Sequence, residues 1–172
     1  MSGETPRLKR PDELEQTPIK FILDVHLGKL ARWLRLLGFD TLYRNDYDDP
    51  EIVEIAACEG RTILTRDGGI MKRRAVIRGY HIQSTNPEEQ LRELFACYPL
   101  EQQIKPFRRC LACNGLLKSV DKATILHLLE PKTIHYYDEF FRCTDCQKIY
   151  WRGTHFTRME AFVARVIAEM AE

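Results

Sequence analysis

Two apolar runs in the first seventy residues, KFILD and RTILTRD, each end in an aspartate, Asp24 and Asp67. A further group of acids, Asp46, Asp48, Asp49 and Glu51, follows a third apolar run, FDTLY. As neighbouring parallel strands, the runs would deliver their aspartates to one carboxyl edge of one sheet, where open α/β sheets bind ligands and metals. No phosphate-cradling glycine loop accompanies them, so the chemistry expected is that of a hard divalent cation, Mg²⁺ or Mn²⁺. Two or three carboxylates around such an ion can activate a water and neutralise charge growing on a phosphate during in-line displacement. Asp24, Asp49 and Asp67 are the expected ligands. Each also has a purely structural alternative: Asp67 precedes Gly68-Gly69 and suits a turn or cap, and Asp49 precedes Pro50 and suits an N-cap with proline at the first helical position.

A second set of residues carries a different chemistry. Cys110-Leu-Ala-Cys113 and Cys143-Thr-Asp-Cys146 are two CxxC pairs with 29 residues between them. Four thiolates form a closed tetrahedral shell for structural zinc, and the flanking FRR, GLLK, EFFR and KIYW stretches suit the hairpins of a zinc ribbon. A redox dithiol and an iron–sulfur cluster are the alternatives; paired knuckles on hairpin flanks favour zinc. Cys58 and Cys97 lie on apolar helical patterns and read as core fillers. Just after the second knuckle, YWRGTH gathers Trp151, Arg152 and His155. Together they offer a stacking platform, a phosphate contact and a proton donor to a leaving oxygen, although Trp151 can equally pack and His155 open a helix. Lys29, Arg32 and Arg35, spaced three apart, and Arg66 form a candidate phosphate-backbone track or a plain solvated face.

The elements that must position these groups follow from periodicity. A strand over 19–24 leads to a helix over 27–37 with Leu27, Leu30, Ala31, Leu34 and Leu37 on one face, closed by Gly38. Then come a strand over 39–43, a helix over 51–59 closed by Gly60, and the strand RTILT. A helix around 70–77, a strand over 80–84 and a helix over 87–97 complete the first part. Strand–helix alternation of this kind predicts a parallel α/β sheet covered on both faces. The proline-bearing stretch 98–107 marks the module boundary. Met159, Phe162, Val163, Val166, Ile167 and Met170 predict an amphipathic closing helix over 157–170, with Thr157 and Glu160 as a capping box. The expected division is a flexible tail over 1–18, a catalytic domain over 19–104, and a zinc ribbon with its helix over 105–172. In the tail, Arg7, Lys9 and Arg10 are the residues of a basic-arm alternative.

Composition narrows the class. The 172 residues carry a net charge of +1, so a globally basic nucleic-acid binder is excluded. The basic surplus sits in 105–172, with 11 basic residues against 8 acidic. No apolar run long enough to span a membrane exists, the N-terminal residues lack the apolar stretch of a secretory signal, and the cysteine pattern fits a reducing cytoplasm.

Several stretches, FILDVHLGKLARWLRLLGFDT, DPEIVEIA…GRTILTRD, RCLACN, the second CxxC and YWRGTH, together resemble the Mut-seven C-terminal RNase family over about 19–160. The resemblance implies a PIN-like ribonuclease domain followed by a zinc ribbon, with metal-dependent cleavage of RNA by acids at strand ends. Asp24 matches the first-strand aspartate, Asp67 that of the T-R-D motif, and Asp49 the acid that opens the middle helix. Where relatives often carry a further acid two residues after the T-R-D aspartate, this chain has Gly69. Three functions are therefore in play. One is a Mg/Mn-dependent ribonuclease whose ribbon helps to hold RNA; another is a non-catalytic RNA- or ribosome-associated zinc-ribbon protein. The last is an adaptor that meets a protein partner through the ribbon.

Overall fold

The computed structural model describes residues 18–170, and the expected tail over 1–18 lies almost wholly outside them. Four short strands, β1 (Lys20–Leu23), β2 (Asp40–Leu42), β3 (Thr62–Thr65) and β4 (Gly79–His81), form one wholly parallel sheet in the order β2-β1-β3-β4. Phe21 is opposite Thr41 on one side and Thr62 on the other, while Thr65 faces His81. Helices α1 (Gly28–Leu36), α2 (Asp49–Glu59), α3 (Gly68–Met71) and α4 (Pro87–Cys97) link the strands and cover both faces.

Side chains alternate across a strand, and the two cores follow that rule. Phe21 and Leu23 join Leu30 and Leu34 of α1 and Leu91, Leu94 and Phe95 of α4; Ile22 turns the other way, to Ile63, Ile70 and the α2 face of Ile52, Val53 and Ala56. Gly38 ends α1 with φ of 97°, and a Cβ there would meet the Lys105 carbonyl oxygen at 2.1 Å. Only glycine serves both the left-handed backbone and that approach.

Strands β5 (Leu117–Val120), β6 (Phe140–Cys143) and β7 (Ile149–Trp151) form a separate antiparallel sheet, the body of a zinc ribbon. Between β5 and β6 the chain inserts two short helices, α5 (Lys122–Ile125) and α6 (Pro131–Tyr136). The closing helix α7 (Thr154–Met170) returns to the first core, where Val163 and Val166 are buried and Phe162 stacks 4.7 Å from Trp33.

Several local expectations are corrected. The N-cap of α2 is Asp48, whose carboxylate accepts the Glu51 N–H at 2.8 Å; Asp49 is already helical. Helix α7 begins three residues before Thr157, so Thr157 lies inside it and makes no capping box. After Met71 the chain leaves α3 through successive turns, so the helix expected around 70–77 is a single turn. Cys58 and Cys97 are exposed, because α2 and α4 turn other residues inward.

Candidate active edge and zinc site

Asp24 follows β1 and is 4% exposed. Its Oδ1 accepts the His26 N–H at 2.9 Å, which starts the turn into α1. Its Oδ2 accepts the Thr65 hydroxyl at 2.5 Å and the Arg66 N–H at 2.8 Å from the end of β3. Asp67 follows on that strand; its backbone N–H donates to the same Thr65 oxygen, and its Oδ1 caps α3 through the Gly69 N–H at 2.7 Å. The parallel pairing of β1 and β3 thus brings Asp24 and Asp67 to one carboxyl edge, joined through Thr65 and Arg66. Asp67 is exposed, and its Oδ2 has no hydrogen-bond donor among the described residues.

The third expected ligand stands apart. Asp49 lies at the start of α2 with Oδ2 3.6 Å from Arg73, and Asp46 pairs with Arg44 at 2.7 Å. Among the described residues, no three carboxylates gather as a ligand group; the four cysteines are the only such set. A Mg²⁺ or Mn²⁺ site here therefore rests on two carboxylates, a number that suffices when waters and substrate phosphates fill the remaining positions. Periodicity missed His81, which ends β4 at the same edge. Gln83 donates its side-chain N–H to His81 Nδ1 at 3.1 Å, which leaves Nε2 to donate to the Arg66 carbonyl at 3.1 Å. The strand expected over 80–84 placed His81 near its start, so the sequence carried no signal for it; β4 ends at His81 in the structure.

The zinc site is compact. Sγ atoms of Cys110 and Cys146 are 3.6 Å apart, those of Cys113 and Cys143 3.3 Å, and all four lie within 4.8 Å of one another. A tetrahedral ion about 2.3 Å from each sulfur sets neighbouring sulfurs about 3.8 Å apart, so the cluster fits zinc. Each knuckle ends on a left-handed residue, Asn114 at φ 75° and Gln147 at φ 65°, and the turns direct Gly115 N–H to Cys113 Sγ and Asp145 N–H to Cys143 Sγ. Burial opposes ionisation of Cys110, but the Tyr150 hydroxyl and the backbone N–H groups of Cys113 and Ala112 outweigh it and bring the thiol to about 7. Burial pushes Cys113 up to about 12 in the absence of a cation.

Arg35 is removed from the expected phosphate track. It is 4% exposed and donates to the carbonyls of Thr41, Leu111 and Ala112 at 2.9, 3.1 and 3.0 Å, which ties the first knuckle to β2. Lys29 is exposed over the Trp33 ring and Arg66 is exposed at the acidic edge. Arg32 faces elsewhere, into a cleft with Trp151 and His155 that contains none of the aspartates. Arg152 lies beside that cleft, 3.4 Å from Glu139 and over the Phe156 ring.

The Mut7-C RNAse domain profile matches residues 19–163. The chain belongs to the Mut7-C RNAse domain family. The match spans both the parallel sheet and the ribbon, so the family unit includes the cysteines as well as the acidic edge. No curated protein and no solved structure matches the chain. Among the described residues no helix is long and apolar enough to cross a membrane.

Proposed function

We propose that the protein is a metal-dependent ribonuclease that hydrolyses RNA phosphodiesters at the edge carrying Asp24 and Asp67. The observation that carries this reading is the union of the two aspartates through Thr65 and Arg66 at neighbouring strand ends. Asp67, with Oδ2 open, and Asp24 would hold Mg²⁺ or Mn²⁺, which supplies charge neutralisation at the scissile phosphate and a more acidic water. Asp49 contributes at most from the rim, through water. Arg66, exposed beside both aspartates, contacts the phosphate backbone, and Lys29 extends that contact. His81 holds the Arg66 carbonyl and so fixes the turn that aims Asp67. His155 lies with the cleft residues and acts in RNA binding rather than as the proton donor. Zinc in the four-cysteine site holds the ribbon in shape.

A second reading has its own support. Asp24 already accepts three hydrogen bonds and is nearly inaccessible, and Gly69 supplies no additional acid. An RNA-binding protein that keeps the fold without turnover would look the same. Cleavage of an end-labelled, unstructured RNA in Mg²⁺ and in Mn²⁺ separates the two. The expected result is cutting by the wild type and a loss of at least about 10²-fold in Asp67→Asn, the scale of removing a transition-state charge stabiliser. RNA left intact by the wild type in both metals rejects the nuclease in favour of the binding protein.

A further inference from the structure

The cleft beside Trp151 has a chemistry distinct from the acidic edge. It encloses about 650 Å³ between α1, the ribbon and the first turns of α7, which is in the range of ligand pockets. Arg32 of α1 and Arg158 and His155 of α7 line it, and no carboxylate does. Neither Arg32 nor Arg158 forms an ion pair among the described residues, so both guanidinium groups are available to an anion. Trp151 is 37% exposed, large for an indole with so many neighbours. Its ring neighbours Phe140 and Tyr137, each with ring centroids 6.4 Å away and tilted to it. Gly153 completes the setting, since a Cβ there would sit 3.1 Å from the indole nitrogen. The W-x-G spacing thus lets the backbone lie close against the indole edge while the ring stays partly exposed.

Free guanidinium groups around a rigid, exposed aromatic face are the pairing that captures unstacked bases together with their phosphates. We infer that this cleft binds unpaired nucleotides of single-stranded RNA, with a base on Trp151 and the adjoining phosphates at Arg32 and Arg158. The inference rests on the reading that RNA is the substrate, but not on cleavage. Base-paired RNA keeps its bases stacked within the helix and cannot present one to the indole. The cleft would therefore select single-stranded segments at a site separate from the acidic edge.

The test uses the full chain with zinc retained, no added Mg²⁺ or Mn²⁺, and Asp67→Asn to prevent turnover. Trp33→Phe leaves Trp151 as the only indole, so its emission reports on this cleft alone. A short oligoadenylate RNA is expected to quench that emission, while duplex RNA at the same nucleotide concentration leaves it unchanged. Trp151→Phe, which keeps a smaller ring, and Trp151→Ala, read by anisotropy of a labelled oligonucleotide, should weaken binding, the latter roughly tenfold or more. Arg32→Gln and Arg158→Gln lie on exposed positions and should each lower the salt dependence of log K by about 0.7. No quenching by oligoadenylate, equal quenching by duplex, or unchanged affinity in Trp151→Ala and both arginine variants overturns the inference. An intact RNA in the cleavage assay alongside strong quenching here would reject the nuclease and keep the cleft.

Discussion

Arg35 shows how a residue's role follows from where its donors end. In sequence it continues the spacing of Lys29 and Arg32, yet the last turn of α1 carries it inward, where it serves carbonyls of Thr41, Leu111 and Ala112. Burial pulls its pKa below the ordinary value, while Cys113 and Cys110 work the other way, and the planar fork matches several acceptors at once. Arg35→Met removes the donors and leaves buried carbonyls without partners, at about 1–3 kcal/mol for each that water cannot reach. A total loss of roughly 3 kcal/mol is expected in urea unfolding. Affinity for single-stranded RNA per folded molecule should fall far less than in Arg32→Gln, because Arg35 is buried and does not itself line the cleft. Arg32→Gln should do the reverse, weakening RNA binding with little change in the unfolding midpoint. An Arg35 variant that keeps full stability and loses RNA would return the residue to the phosphate track.

The elements differ in how openly they were written. Strands β1 and β3 announced themselves because both faces are covered: β1 is apolar after Lys20, and β3 sets Ile63 and Leu64 between two buried, β-branched threonines. Helix α1 was equally plain, with four leucines on one face. The boundary of α2 slipped by one residue because Asp48 and Asp49 are chemically identical candidates for the cap, and only the Glu51 N–H decides between them. Helices α5 and α6 were unreadable: they bury little beyond Ile125 and Thr133, and such short pieces carry no period. The edge of β2 hid a network as well. Asp40 accepts from Arg61 at 2.7 Å and from the Asn114 side chain at 2.8 Å, while Asn114 Oδ1 receives the Thr41 N–H. Burial by itself would raise the Asp40 pKa, but the bonds from Arg61 and Asn114 outweigh it and hold the carboxyl below its ordinary range. With the folded value below the unfolded one, Asp40 stabilises the fold above about pH 4 and loses that contribution as pH falls through the folded value. Asp40→Ala should cost about 1–3 kcal/mol at neutral pH by removing the acceptor that Arg61 and the Asn114 side chain share, with Arg61 left on Glu59 at 2.6 Å. It should also flatten the acid limb of stability below about pH 4, measured by urea unfolding at each pH.

At the scale of the whole molecule, the ribbon and the parallel sheet are joined on two sides. On one side Asn114 of the first knuckle reaches β2, and Arg35 of α1 holds the knuckle carbonyls; on the other, α7 follows the last strand and packs Val163, Val166 and Phe162 against α1 and α4. Ion pairs reinforce the second joint, with Arg165 3.0 Å from Glu88 and Arg92 3.2 Å from Glu169. Four-cysteine shells contribute metal-binding energy directly to folding, so losing the cation frees the knuckle that presents the carbonyls of Leu111 and Ala112. That loss cannot stay local when the same knuckle holds the edge strand of the other sheet. Removal of zinc by a chelator, or Cys110→Ser, is therefore expected to lower the melting temperature of the entire chain in one transition. Hydrogen exchange should rise at Thr41 and Asn114 as well as at β6. Because Tyr150 lines the RNA cleft and lies 3.1 Å from Cys110 Sγ, the same treatment should weaken oligoadenylate binding at temperatures where the sheet is still folded. Two separate melting transitions, with exchange at Thr41 untouched by chelator, would mean that the ribbon is a passenger on the first sheet rather than part of its support.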